Sequence, residues 1–294
     1  MYSQFFGSYL FNHNLVTAEQ LTAAFEKKHN TRLKLGTLAI NEGLMDASQV
    51  EQVNQAQQSV DKRFGDLAVE LGYLTKDDVE NLLTKQPADY LTLGQAIVDL
   101  GFMTNEQLEK TINDYKTEYT ISDDEISESQ TDSLTGLIED FYHFGRADSA
   151  KISTDYVTML LKNVIRFVGD DFTPLESFVV SRFEAHCIVR QGVEGKYKAD
   201  TCICCGKAEY RELAKRFAKE EFMDDPEFIN AAVGEFLNVV NGLFVVNESN
   251  QNGMELTMDP QEFVEGGKVA FSKPAFCIPV MFGFGEVDFI ICAG

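Results

Sequence analysis

A pattern that recurs every 29 residues constrains the fold of residues 1–116 more than any other feature of the chain. Four segments share it, and their first glycines are Gly7, Gly36, Gly65 and Gly94. Seven residues after each of these stands Asn or Gly, the residue types that best tolerate a left-handed backbone. Three residues later comes a Thr or Asp suited to cap a helix. We therefore predict an all-helical module over residues 1–116, in which each repeat is a short helix, a left-handed turn and a capped longer helix.

Two of the repeats resemble a known motif. Residues 34–57 and 63–86 are each 24 residues long, end in Gln, and are separated by residues 58–62. This arrangement resembles the N-terminal domain of the type II secretion and type IV pilus ATPases, the MshE-type family, one branch of which binds cyclic di-GMP through a motif arginine. Only Arg63 stands at that position here, and Lys34 replaces it in the preceding repeat. Because a dianionic dinucleotide favours several bidentate arginines, we favour a helical packing and partner-docking module. Cyclic di-GMP bound near Lys34 and Arg63 is the alternative.

The charge balance narrows the classes of partner. The chain carries 47 acidic and 25 basic residues, a net charge of −22. Nucleic acids and anionic membrane surfaces attract clustered Lys and Arg, so this balance argues against both. The sequence shows neither a basic signal-peptide start nor an uninterrupted apolar run of membrane-spanning length, which favours a cytoplasmic protein without a membrane span.

All six cysteines lie in the second half, at spacings that match neither a disulfide framework nor a zinc site: Cys187, Cys202, Cys204, Cys205, Cys277 and Cys292. Cysteine is among the most buried residue types, so we predict that Cys202, Cys204 and Cys205 pack in the core of a reduced protein. With only four histidines besides, the chain is predicted to hold no metal and no cofactor of its own.

An acidic segment separates the repeats from a second domain. Residues 117–133 hold six acidic residues and little to bury, which predicts a flexible linker. Residues 134–146 are aromatic and are predicted to form a helix that docks on the domain after it. Helical and strand patterns then alternate and predict a domain over residues 134–294 of the α+β class, with a largely antiparallel sheet and two long helices packed on it.

One of these helices has an unusual outward face. Asp225 and Pro226 supply its N-cap and first residue, and the helical pattern continues to about residue 245. Helical periodicity places a set of small and polar residues on the side opposite the apolar residues: Glu227, Asn230, Ala231, Gly234, Glu235, Asn238, Asn241 and Gly242. This outward stripe has no Lys or Arg, and a glycine inside a helix costs about 1 kcal/mol relative to alanine. Because the side chains of this stripe are short, we interpret it as a surface that another molecule approaches closely.

The segment GEFLNVVNG at residues 234–242 resembles the CheC/CheX/FliY family of chemotaxis phosphatases. Its signature is Asp or Ser, three residues, Glu, two residues and Asn, followed at a distance by Pro. Glu235, Asn238 and Pro260 match, whereas Ala231 stands at the position of the Asp or Ser. The resemblance implies a CheX-like domain that dephosphorylates an aspartyl-phosphorylated response-regulator receiver domain of the CheY type.

The resemblance also implies the catalytic residues. Asn238 would orient the attacking water, and Glu235, one turn away, would pair with a receiver lysine, while the required Mg²⁺ would belong to the receiver. The family is built from two related halves, and aligning them places Asn163 opposite Asn238 but Leu160 opposite Glu235. The first half keeps the amide and lacks the acid, so we predict one active face.

The sequence is compatible with two other functions. A non-catalytic adaptor that binds a receiver or a motor protein is favoured by Ala231 at the signature position. A cyclic di-GMP-responsive effector would act through the N-terminal repeats. A homodimer is left open as a further association.

Overall fold

The computed structural model describes residues 1–85, 87–119, 131–144, 148–196, 198–220 and 225–293. These residues fall into two compact units, Tyr2–Ser133 and Leu134–Gly294. The first is helical and the second combines helices with an antiparallel sheet. The predicted α+β class with N-terminal helical repeats is therefore confirmed.

Each repeat of the first unit contributes two helices. In chain order they are α1 (Tyr2–Asn12), α2 (Ala18–Lys28), α3 (Leu35–Asn41), α4 (Ala47–Gln57), α5 (Phe64–Glu70), α6 (Lys76–Thr84), α7 (Asp89–Asp99) and α8 (Asn105–Glu118). The prediction of a short first helix holds for α3 and α5, which have 7 residues each. It is wrong for α1 and α7, which have 11 residues because buried aromatic side chains such as Phe5, Phe6 and Tyr90 extend these helices at their N-terminal ends.

The turns and caps of the repeats follow the prediction. The backbone is left-handed at the predicted residue of every repeat: Asn14 (φ 54°), Gly43 (φ 66°), Gly72 (φ 77°) and Gly101 (φ 73°). The second helix of every repeat begins with a capping box, in which the cap side chain accepts a backbone N–H and the side chain three residues later accepts the cap's own N–H. The caps are Thr17, Asp46, Thr75 and Thr104.

The first glycine of a repeat allows its two helices to touch. A Cβ atom added to Gly36 would lie 2.8 Å from Cγ1 of Val50, and one added to Gly94 would lie 2.8 Å from Cδ1 of Leu108. Real Cβ atoms do not approach so closely, so any larger residue would push the pair apart. The 29-residue spacing of these glycines is thus a packing requirement.

Helices reach into both ends of the predicted linker, residues 117–133. Helix α8 continues to Glu118, and the next helix, α9, already begins at Thr131 and ends at Tyr142. Most of the acidic segment, residues 120–130, lies outside the described residues. Helix α9 packs on the second unit: the ring of Phe144, just beyond its end, lies 4.9 Å from that of Phe276.

The second unit is built on a six-stranded sheet in which all pairings are antiparallel. Its strands are β1 (Phe172–Pro174), β2 (Phe178–Gly195), β3 (Ala199–Cys205), β4 (Leu256–Met258), β5 (Glu262–Phe282) and β6 (Gly285–Ala293), and its further helices are α10 (Asp148–Phe167), α11 (Lys207–Ala218) and α12 (Pro226–Asn252). The two long helices, α10 and α12, pack on each other, and they contact β6 and β2 respectively. This is the predicted arrangement.

The sheet closes on itself through its longest strand. The first part of β5 pairs with β2, with Phe263 opposite Val189, and its last part pairs with β6, with Ile278 opposite Phe289. One apolar cluster of the sheet contains four of the cysteines, Cys202, Cys204, Cys277 and Cys292. All six cysteines are free thiols. Cys187 is half-buried and the other five are buried. Burial raises the pKa of the Cys202 and Cys204 thiols, so these side chains serve packing, as predicted.

Helix α12 is longer than its predicted end at residue 245. It continues to Asn252, whose Nδ2 donates to Oε2 of Glu248 at 3.0 Å, and ends where Gly253 adopts a left-handed backbone (φ 59°). By length and composition alone it is also apolar enough to cross a membrane. Core helices pass the same test, and Phe236, Val240 and Phe244 of this helix are fully buried within the second unit.

Candidate functional site

The predicted acid and amide lie side by side on the exposed side of α12. Glu235 is exposed and Asn238, one turn later, is half-buried. Nδ2 of Asn238 donates to Oε2 of Glu235 at 3.3 Å. Within the described part of the chain, no Lys or Arg forms an ion pair with Glu235. The structure therefore brings the two predicted residues together and leaves the carboxylate open to an external cation.

The outward stripe differs from the prediction at two positions. Asn241 is fully buried, and Gly234 is buried as well. Gly234 is covered because the chain after β4 folds back over this side of the helix. Nε2 of Gln261 donates to the carbonyl of Gly234 at 3.0 Å, and a Cβ at Gly234 would lie 2.7 Å from Cζ of Phe263. The space above Gly234 is thus filled by the ring of Phe263, which is itself 43% exposed.

Two apolar residues depart from the prediction in the opposite direction. Helical periodicity puts Phe228 and Leu243 on the apolar side of the helix, opposite the outward stripe, yet they are 37% and 36% exposed.

Asn238 is attached to a polar network that the sequence did not reveal. Nε2 of Gln191, on β2, donates to Oδ1 of Asn238 at 3.0 Å and to the carbonyl of Asp259 at 2.9 Å. Nδ2 of Asn241 donates to Oε1 of Gln191 at 2.9 Å and to Oγ1 of Thr201 at 2.8 Å. The hydroxyl of Tyr156 donates to Oδ1 of Asn241 at 3.1 Å.

A signal for this network exists in the strand pattern. Along β2, Val189, Gln191 and Val193 share one face and are all buried. Side chains two residues apart on a strand point the same way, so a glutamine between two valines is a polar residue at a core position. Such a residue requires polar partners inside the fold.

The two residues of the first half that align with Asn238 and Glu235 are both buried. Asn163, aligned with Asn238, is buried, and its Nδ2 donates back to the carbonyl of Met159 in the same helix at 2.8 Å. Leu160, aligned with Glu235, is also buried. This arrangement agrees with the prediction of one face.

The two cyclic di-GMP candidates lie in the first unit and do not share a site. Lys34 lines a cavity of about 650 Å³, but Arg63 does not belong to its lining. Nζ of Lys34 is paired with Oδ1 of Asp99 at 2.7 Å. The structure thus places only one of the two cations at this cavity and partly neutralises it.

Comparison with solved structures found matches that cover about half of this chain. CheX from Desulfovibrio desulfuricans is 18% identical, with 49% of this chain and 99% of that chain covered and a TM-score of 0.44. A CheX–CheY–BeF3–Mg²⁺ complex from Borrelia burgdorferi is 16% identical, with 48% and 97% covered and a TM-score of 0.43. The FliM middle domain from H. pylori is 14% identical, with 48% and 87% covered and a TM-score of 0.33.

No curated protein matches the sequence. The resemblance of the repeats to the MshE-type family stays a prediction. Residues 187–284, which include Gln191, Glu235 and Asn238, match the family model of the chemotaxis phosphatase CheX, and the resemblance to this family that residues 234–242 indicated is thereby confirmed.

Proposed function

We propose that the second unit hydrolyses the aspartyl phosphate of a CheY-like receiver domain in the cytoplasm. The observation that carries the proposal is the pair formed by Glu235 and Asn238 on the exposed side of α12, within the region that matches the CheX family model. In the proposed complex, α12 lies against the phosphorylation site of the receiver. Asn238 reaches the attacking water, and Glu235 contacts a receiver lysine.

The chemistry suits an amide. In the reaction, the oxygen of a water molecule bonds to phosphorus, the bond from phosphorus to the aspartyl oxygen breaks, and inorganic phosphate and free aspartate result. An acyl phosphate is already reactive, so catalysis consists mainly of placing the water in line with the bond that breaks. Asn238 holds this water by a hydrogen bond and needs no change of protonation. Mg²⁺, supplied by the receiver, offsets the charge on the phosphoryl oxygens.

Glu235 sets the position of α12 on the receiver in the proposed complex. Its carboxylate is exposed and has no described cation partner of its own, while Asn238 steadies it at 3.3 Å. A lysine of the receiver that pairs with it forms a charge-assisted hydrogen bond. Because Asn238 is one turn away on the same face, this contact also fixes where the amide enters the receiver.

The test is the lifetime of a radiolabelled, phosphorylated CheY-type receiver with and without the full chain. We expect the chain to shorten it at substoichiometric concentration, and no acceleration would contradict the proposal. The second candidate is a non-catalytic adaptor, which Ala231 favours because it leaves the signature's Asp or Ser position without a polar group on the exposed face. An adaptor would bind the beryllofluoride-loaded receiver and leave the phosphoryl lifetime unchanged.

A further inference from the structure

The polar network behind Asn238 lies inside the core. Gln191, Thr201, Asn241 and Tyr156 are each no more than 3% exposed, and they come from β2, β3, α12 and α10. A fold that required only stability could place apolar side chains here, since well-packed apolar groups stabilise at least as well as a buried polar network. The network connects the half-buried amide of Asn238 to the centre of the unit.

The donors of this network are fully used. Both hydrogens on Nε2 of Gln191 are engaged, one with Asn238 and one with the carbonyl of Asp259. Both hydrogens on Nδ2 of Asn241 are engaged, with Gln191 and Thr201. Thr201 in turn donates through Oγ1 to the main-chain carbonyl of Gln191 at 3.0 Å.

These bonds determine the side on which the oxygen and the nitrogen of each amide group lie. The carbonyl oxygen of Asp259 only accepts hydrogen bonds, so Gln191 has to face it with Nε2. The same Nε2 also donates to Asn238, so Asn238 has to accept this hydrogen bond with Oδ1. Nδ2 of Asn238 then points away from the core, toward Glu235. If Asn238 turned over, two amide nitrogens would face each other.

We propose that Gln191 is the positioning residue of the site, which fixes Asn238 with Nδ2 outward so that a hydrogen-bond donor meets the receiver. Asn241 and the Asp259 carbonyl hold Gln191 in the required orientation. The inference rests on the proposed function and deepens it. In the complex, Nδ2 of Asn238 donates to a lone pair of the water oxygen, and the other lone pair is free to attack phosphorus.

The first experiment measures steady-state kinetics of the full chain on the phosphorylated receiver. Gln191→Glu keeps the shape of the side chain and replaces its donor by an acceptor, whereas Gln191→Leu removes both polar atoms. We expect each to lower kcat on the order of 10-fold or more, because a misplaced group loses most of its effect. We expect KM and the affinity for the beryllofluoride-loaded receiver to change less than about 3-fold, because Glu235 still docks.

Asn163→Leu is the matched control, since it also removes a buried amide from the same unit but at the position that does not form an active face. It should leave kcat at the wild-type value even where it lowers the melting temperature. Gln191 variants that keep the wild-type kcat, or that lose no more of it than Asn163→Leu at equal stability, would overturn the positioning role.

A second measurement needs no variant of Gln191 and no activity. The side-chain amide signal of Asn238, assigned by its loss in Asn238→Ala, should show a rigid NH₂ group on the nanosecond timescale in the wild-type chain. A freely rotating Asn238 amide would refute the proposal. If instead the wild type fails to dephosphorylate any CheY-type receiver while this amide is rigid, the proposed function is wrong and the positioning by Gln191 stands.

Discussion

Nδ2 of Asn238 donates to Oε2 of Glu235 at 3.3 Å, and this hydrogen bond links the two residues of the candidate site. The bond links an exposed carboxylate to an amide that is itself held from the core by Gln191 at 3.0 Å. A flexible glutamate on a helix surface is thus connected to a fixed group. The pair can meet a partner with less loss of side-chain freedom than two independent side chains would.

Removal of Asn238 should abolish catalysis and preserve the fold. Asn238→Ala deletes the group proposed to hold the water, and we expect a loss on the order of 10²-fold in the dephosphorylation rate. Gln191 loses one of its two Nε2 partners but keeps its bond to the Asp259 carbonyl, and the apolar core around it is unchanged, so we expect the protein to fold with a modest loss of stability. Asn230→Ala, at a half-buried asparagine on the same helix, is the control and should retain the rate. A folded Asn238→Ala protein with wild-type activity would sink the mechanism.

Reversal of the charge at Glu235 should act on binding. Glu235→Lys places a cation where a receiver lysine is expected, and like charges oppose association. We expect a weaker affinity for the beryllofluoride-loaded receiver, measured by fluorescence anisotropy, before any effect on the rate at saturation. Glu227→Lys makes the same charge change at another exposed position of the helix and should leave the affinity almost unchanged. Equal affinities for the wild type and Glu235→Lys would rule out the docking role.

The repeats could be predicted in detail because their signals are local. A capping box and a left-handed turn are determined by residues within a few positions of each other, as at Thr17 with Gln20 and at Gly43. The proximity of Glu235 and Asn238 on the exposed side of α12 was also predictable, because both belong to one helix and one motif.

The burial of Asn241 and Gly234 could not be predicted in the same way. Helical periodicity places both on the outward side, but contacts distant in sequence cover them: Gln191 lies 50 residues from Asn241, and Gln261 lies 27 residues from Gly234. Periodicity within a single helix does not contain this information. The signal that was present, a glutamine at an inward position of β2, required knowledge of which face of the strand is buried.

The two glycines of the motif helix should respond differently to alanine. A Cβ at Gly242 would have only Cε of Met258 nearby, at 3.7 Å, so Gly242→Ala should stabilise the helix by about 0.5–1 kcal/mol. A Cβ at Gly234 would meet Cζ of Phe263 at 2.7 Å and Oε1 of Gln261 at 3.0 Å. We expect the displaced ring to cancel the gain. Urea denaturation should rank Gly242→Ala above Gly234→Ala by about 1 kcal/mol, and equal stabilities would contradict the packing of Phe263 on the helix.

Asp288 should make stability depend on pH. Burial raises its pKa to about 6 from an ordinary 3.8, although the Cys277 thiol beside it acts in the opposite direction. The folded state therefore holds a proton that the unfolded state releases, and stability falls as the pH rises from about 4 to about 6. Asp288→Asn should be more stable than the wild type above this range, with the difference shrinking below it. Parallel stability curves for the wild type and Asp288→Asn would contradict the prediction.

Cyclic di-GMP should bind the repeats weakly or not at all. The cavity beside Lys34 is also lined by Lys27 and Arg32, but Lys34 itself is already paired with Asp99, and Arg63 lies outside the cavity lining. Neither of the two motif positions therefore offers an unpaired cation inside this cavity, and a dianionic dinucleotide favours several bidentate arginines. Calorimetry on the full chain should therefore detect no submicromolar binding. Asp99→Asn frees Lys34 and should strengthen whatever binding exists, whereas Asp66→Asn, the same change in another repeat, should not. Tight binding by the wild type that Arg63→Ala abolishes would show that the motif arginine works alone, and the repeats would then be a nucleotide sensor in place of a docking module.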